Sequence, residues 1–389
     1  MTAPSSIDGA SGPIVDFLND VVAAAIEQRA SDVHIEPQEK FVRIRFRIDG
    51  KLVIFRQLPR ELLVPLIARL KIVSQLPLDE HRKPLDGKWY YRTGGEDQVC
   101  YDVRISIIPF LHGEGAVLRI LKFLGTQADL ETLGFGADVC LPMRRTIGES
   151  NGLFLAVGPT GCGKSTTIYT LLRLLNDGSR KIISIEDPVE YTLHGVSQVN
   201  VAPEQKLSFG DALRAIMRQA PNVLFVGEIR DEETANNVVQ AALTGHFVFS
   251  TIHADGAAGA IARLENLGIS MNLLATILRG ILAQRLIRSL CKDCRSPCEI
   301  PPAMVKKFPH LSGASAFRSV GCAHCNQSGY FGRSILYEWV EMKATLSHEM
   351  RMHLRDYVVS HCQPSFIECI CARIRDGIIS PNDVPGILL

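Results

Sequence analysis

The octapeptide Gly158-Pro159-Thr160-Gly161-Cys162-Gly163-Lys164-Ser165 constrains this chain more than any other segment. It fits G-x-x-x-x-G-K-[ST] in the context that gives the pattern physical meaning. The apolar run Leu153-Phe154-Leu155-Ala156-Val157 reads as a short buried strand before it, and residues 164–175 follow with helical apolar spacing. Glycines let successive backbone N–H groups converge on an anion, and a helix N-terminus adds partial positive charge. Lys164 is placed to neutralise phosphate oxygens, Ser165 to hold Mg²⁺, and Thr166 to extend the polar first turn. The expected ligands are therefore ATP and Mg²⁺.

Three further apolar runs, 182–185, 223–226 and 247–252, are separated by helical segments. Buried strands alternating with helices predict an α/β fold with a mostly parallel, doubly covered sheet, whose ligands sit at the carboxyl ends of the strands. Acids just past such ends are candidates for holding metal or orienting water. Ile185-Glu186-Asp187-Pro188-Val189-Glu190 follows the second strand and Gly227-Glu228-Ile229-Arg230-Asp231 the third. His246 and His253 bracket the fourth. Seven apart in an extended run, they are not both expected at one phosphate, and position favours His253.

Ahead of this region the period changes. Residues 13–28 have one apolar helical stripe, and Val42, Ile44, Phe46 and Ile48 alternate with arginines up to an Asp49-Gly50 turn. A hairpin partner at 51–54, a helix near 60–75 and strands near 99–107 and 116–122 complete an α+β unit. The expected organisation is a flexible lead (1–11), an α+β domain (12–128), a nucleotide-binding domain (129–285) and a C-terminal region (286–389). Among 389 residues, 42 Lys and Arg face 41 Asp and Glu, so no basic excess points to nucleic acid. Neither a membrane-length apolar run nor a secretory leader is evident, which predicts a cytosolic protein.

Cysteines then become informative, because a reducing compartment disfavours disulfides. Cys291-Lys292-Asp293-Cys294 and Cys322-Ala323-His324-Cys325 are two CxxC knuckles whose four thiolates match a closed, structural zinc site. Cys298 is a bystander beside them, and Cys362, Cys369 and Cys371 read as structural thiols. Cys162 has two readings. At a helix N-terminus beside Lys164 its thiolate is favoured and alkylation would inactivate; alternatively a small residue merely fits there.

The order of these boxes, with Ser31-Asp32-Val33-His34-Ile35-Glu36-Pro37 before them and Gly332-Arg333 after, resembles the assembly ATPases of type II secretion and type IV pilus systems. The resemblance implies a homo-hexameric motor with a RecA-like ATPase domain and a regulatory domain that closes over nucleotide. It implies that Glu190 is the catalytic glutamate, that Glu228 positions Mg²⁺, and that His246 and His253 form the histidine box. Arg104 and Arg119 match the regulatory-domain arginines that reach the γ-phosphate, and Arg214 and Arg218 match a pair ahead of the third strand. It also implies a zinc module, an inner-membrane platform protein as partner, and peripheral attachment to the cytoplasmic face of the inner membrane.

Three departures stand out. Gln219-Ala220-Pro221-Asn222 replaces a segment that carries two aspartates, the chain begins at the regulatory domain, and the last fifty residues match poorly. The rival readings are a RecA-like nucleic-acid translocase, whose basic channel and stacking aromatics are not evident, and a scaffold that binds ATP without turnover. The retained acids Glu190 and Glu228 oppose the second.

Overall fold

The computed structural model describes residues 12–93, 99–122, 129–201, 209–342 and 353–384. The expected lead at 1–11 and the boundary at 128 lie outside them. The chain forms two compact units, Met1–Gly125 and Thr126–Leu389.

In the first unit, helix α1 (Pro13–Glu27) leads into β1 (Ala30–Pro37), β2 (Phe41–Ile48) and β3 (Lys51–Pro59). Helix α2 (Leu63–Val73), β4 (Leu85–Arg92), β5 (Cys100–Phe110) and β6 (Gly113–Lys122) follow. The sheet order is β3-β2-β1-β6-β5-β4, antiparallel throughout. Asp49 and Gly50 both have positive φ (47° and 87°), the geometry that turns β2 tightly into β3. Strict alternation sends Val33, Ile35, Val42, Ile44, Phe46, Val103, Ile105 and Leu118 to one face, where Leu18, Val21, Val22, Leu66 and Leu70 of the helices are buried with them. Each such side chain contributes roughly 1.5–3 kcal/mol on burial. Neither β1 nor β4 is expected from alternation alone, because Asp32 and Glu36 interrupt the first and Asp86 and Gly87 the second.

The second unit begins with α3 (Ala137–Ile147), β7 (Gly152–Val157), α4 (Lys164–Leu175), β8 (Ile182–Glu186) and β9 (Ser197–Asn200). It continues through α5 (Phe209–Met217), β10 (Val223–Val226), α6 (Glu232–Leu243), β11 (Phe247–Ile252), α7 (Ala257–Asn266), α8 (Met271–Ile277) and β12 (Leu278–Leu290). The segment between the CxxC knuckles holds β13 (Ser296–Cys298), α9 (Pro302–Lys307) and β14 (Ala316–Arg318). Then come β15 (Tyr330–Glu341), α10 (Leu354–Ser360) and α11 (Phe366–Arg375).

The seven-stranded sheet runs β15-β12-β7-β11-β10-β8-β9. Strands β7, β8, β10 and β11 are parallel and buried at every residue, which is why each reads as a mainly apolar run, broken only by Ser184 and Glu186 in β8 and by Ser250 and Thr251 in β11. Parallel pairing puts their carboxyl ends, with the loops at 158–163, 187–190, 227–230 and 253–256, on one edge. β12 adds in parallel beside β7, and β15 closes that side antiparallel. β12 is continuous across residues 285 and 286, so the cysteine-bearing segment is an outgrowth of the same sheet.

Candidate functional site

The phosphate-type loop is built by glycines and gripped from behind. Gly158 has φ 147°, and a Cβ there would lie 2.4 Å from the Gln284 carbonyl oxygen and 2.7 Å from Cys162 Sγ, so no larger residue fits. Gly163, left-handed at φ 93°, turns the chain straight into α4. Lys164 Nζ donates to the carbonyls of Gly158 (2.7 Å) and Pro159 (2.9 Å), and burial lowers its pKa. Ser165 and Thr166 sit half-buried in the first turn, while Pro159, Thr160 and Gly161 form the exposed crest. Fully buried Gln284 of β12 donates through Nε2 to the Cys162 carbonyl at 2.9 Å. The sequence reading missed this residue; its one signal is an amide inside an apolar strand.

The reactive reading of Cys162 is corrected. Its side chain is 3% exposed, and burial pushes the thiol pKa up more strongly than Lys164 pulls it down. Cys162 is therefore a small filler beneath Gly158.

The acids separate by burial. Glu186, at the end of β8, is buried and accepts bonds from Tyr169, from Ser184 (2.6 Å) and from Gln198 (3.2 Å); burial raises its pKa. Its acceptors are used internally. Glu190 lies in the half-buried loop beyond, its backbone N–H donating to the Tyr169 hydroxyl at 3.2 Å. Glu228, past β10, is partly exposed and pairs with His253 Nε2 (3.3 Å) and Arg230 (3.1 Å). Burial, then Lys164, lowers the His253 pKa against the opposing pull of Glu228. Two side-chain bonds hold this edge: Ser250 Oγ to the Val226 carbonyl and Thr251 Oγ1 to the Gly227 carbonyl, both 2.7 Å.

His246 is not brought to this edge. It precedes β11, whose six residues, at about 3.3 Å each, put it about 20 Å from the carboxyl end. Its Nδ1 lies 3.0 Å from the Ala241 carbonyl at the end of α6, a local helix-end contact. Arg214 pairs with Asp211 (2.7 Å) and Glu233 (3.0 Å), and Arg218 donates to the Arg214 carbonyl (3.1 Å). Neither bonds to the phosphate-type loop among the described residues. Where acids are missing, the Asn222 side-chain oxygen accepts the Lys181 backbone N–H and the Gln219 backbone carbonyl accepts from Lys181 Nζ (both 2.7 Å).

Arg104 and Arg119 lie in the first unit on the sheet face away from the helices. Register makes Lys88, Arg104, Arg119, Asp32 and Arg47 successive partners across β4, β5, β6, β1 and β2. Buried Asp32 holds Arg119 Nε (3.1 Å) and Arg47 Nε (3.3 Å), relieving like-charge repulsion in this row.

Cys291, Cys294, Cys322 and Cys325 place all four sulfurs within 4.8 Å of one another. The separations for 291–322, 294–325 and 322–325 are 3.8, 3.8 and 3.7 Å. A tetrahedron with 2.3 Å metal–sulfur bonds has an edge of about 3.8 Å. Backbone N–H groups of Gly321, Cys322 and Gly329 point at Cys294 and Cys325 Sγ at 3.2–3.3 Å, as thiolates require. Burial raises the Cys325 pKa, but the Cys322 and Gly329 N–H groups outweigh it and bring it to about 6. Cys298, Cys362, Cys369 and Cys371 stand outside this cluster.

A family model described as type II/IV secretion system protein matches residues 8–385. The chain belongs to that family. The type II secretion system protein E of Dickeya dadantii is 44% identical over 326 residues, 84% of this chain and 65% of the relative. The type II secretion system ATPase E of Vibrio cholerae is 40% identical over 378 residues, 96% of this chain and 75% of the relative. This chain therefore spans 65% to 75% of these two relatives' lengths. The solved pilus retraction motor PilT with bound ADP is 26% identical with a TM-score of 0.65, covering 95% of this chain and 96% of that one. This secretion-family protein is thus a member of a family of ATPases, with their α/β fold. Among its described residues no helix is long and apolar enough to cross a membrane.

Proposed function

We propose that this secretion ATPase hydrolyses ATP to drive assembly of a pilus or pseudopilus as a homo-hexamer attached peripherally, through an inner-membrane platform protein, to the cytoplasmic face of the inner membrane. The observation that carries the chemistry is the shared carboxyl edge of β7, β8, β10 and β11, with the Lys164 loop, Glu190, Glu228 and His253 along it. Residues 158–166 cradle the triphosphate, and Lys164 exchanges its two loop carbonyls for phosphate oxygens. Ser165 and Glu228 would hold Mg²⁺, whose charge would offset that of the phosphates. Glu190 orients the attacking water. His253, kept neutral at physiological pH, fixes Glu228. Arg104 and Arg119 take the terminal phosphate, so that its release changes the state of the regulatory unit. Arg214 and Arg218 serve the same nucleotide only by leaving their present carboxylate and carbonyl partners. The four cysteines hold a structural zinc.

The test is phosphate release by the purified chain, with ATP binding measured separately. Lys164→Ala is expected to abolish both, and Glu190→Gln to slow turnover while sparing binding. Undiminished turnover in both variants removes the assignment. Stimulation by single-stranded DNA would instead revive a nucleic-acid translocase.

A further inference from the structure

Helix α4 starts at the phosphate-type loop, and its sixth residue, Tyr169, is fully buried. The ring packs edge-on against Tyr191 (centroids 4.4 Å apart) and Phe225 (6.1 Å). Its hydroxyl donates to the Glu186 carboxylate and accepts the backbone N–H of Glu190 at 3.2 Å. Burial and the Glu186 charge raise the hydroxyl's pKa, so it stays protonated and the direction of both bonds is fixed.

Further bonds to this segment come from another element. Val189 N–H donates to Asn200 Oδ1 (2.8 Å) and Leu193 N–H to Gln198 Oε1 (2.6 Å), while Gln198 Nε2 donates to the Tyr191 carbonyl (3.2 Å). Asn200 and Gln198 belong to β9, at the sheet edge. The bond to the Glu190 backbone N–H comes from the helix that carries Lys164.

We propose that Tyr169 is a positioning residue that sets the distance between the triphosphate and the Glu190 side chain, by tying the Glu190 backbone to the phosphate-loop helix. The proposal rests on the reading of Glu190 as the water-orienting acid. A carboxylate that aligns water must be held closely, since a displacement of about 1 Å costs about a hundredfold in rate. Ser184 and Gln198 also bond Glu186, so removing the tyrosine hydroxyl leaves that buried carboxylate with two donors and the core intact.

The experiment compares Tyr169→Phe, Ser184→Ala and Glu190→Gln in the full chain. It measures single-turnover phosphate release, equilibrium ATP binding and amide exchange at Glu190. Tyr169→Phe is expected to lower kcat about tenfold or more, leave the ATP Kd within about twofold, and speed exchange at the Glu190 amide. Ser184→Ala removes a different donor to Glu186 without touching Glu190, so its kcat stays at the parent value. Wild-type kcat in Tyr169→Phe overturns the proposal, as does an equal fall in Tyr169→Phe and Ser184→Ala, which would mark core damage. Unchanged turnover in Glu190→Gln removes the underlying reading, and this proposal with it.

Discussion

Replacing Gln284 by leucine separates what holds the phosphate-type loop from what holds the fold. Gln284 is fully buried; its Nε2 serves the Cys162 carbonyl at 2.9 Å, and its Oε1 is buried with no hydrogen-bond partner among the described residues. Leucine removes the loop's bond, at a cost of about 1–3 kcal/mol for a buried carbonyl left unserved. It also removes the unpartnered Oε1, a relief of similar size. Global stability should therefore shift by about 1 kcal/mol or less, while the loop loses its anchor. If ordering the loop on ATP then costs about 1.4 kcal/mol, ATP binding weakens about tenfold. Glutamate at the same position faces the carbonyl with a buried carboxylate and should destabilise by several kcal/mol. Thermal unfolding and equilibrium binding of ATP to both variants make the check. Leucine that binds ATP like the parent, or that unfolds as readily as glutamate, refutes this reasoning.

Three further outcomes are expected. Removing metal, or replacing Cys322 and Cys325 by serine, should release one zinc per chain and speed hydrogen exchange first in residues 291–330; a metal-free chain with parental exchange there excludes a structural metal. Brief iodoacetamide treatment at neutral pH should leave Cys162 unmodified by mass mapping, with or without ATP, because the thiol is buried and its pKa raised; rapid labelling contradicts that. The pKa of His34 in β1 is lowered below 6.5 by burial and then by Arg47, so the native state prefers the neutral ring. Its stabilising contribution is present above pH 6.5 and lost as pH falls through the lowered native pKa. His34→Gln should therefore flatten part of the acid limb of first-unit stability in urea titrations, and an unchanged limb would discount this histidine.

What the sequence made legible follows from how each feature is encoded. Strands β7, β8, β10 and β11 are buried on both faces, so apolar runs reveal them, and the glycine loop and cysteine knuckles are local spacings. β12 is hidden because Arg279, Gln284, Arg285 and Arg288 interrupt its apolar pattern, and its pairing to β7 and β15 depends on residues far along the chain. The Tyr169, Glu186 and Gln198 network joins three segments through buried hydroxyl, carboxylate and amide groups, which no periodicity encodes. The same limit affects the arginines: alternation places Arg104 and Arg119 on a polar face, but only strand register sets Asp32 beside Arg119.

β12 has a mechanical consequence. The strand carries Gln284 against the phosphate-type loop and ends one residue before Cys291, the first sulfur of the tetracysteine cluster. Seven residues of strand, about 23 Å at 3.3 Å each, join the two points, with one irregularity in the pairing between Arg288 and Leu290. A displacement at the cysteine knuckle would therefore run along the strand backbone to Gln284 and reach the loop through one link, the hydrogen bond to the Cys162 carbonyl.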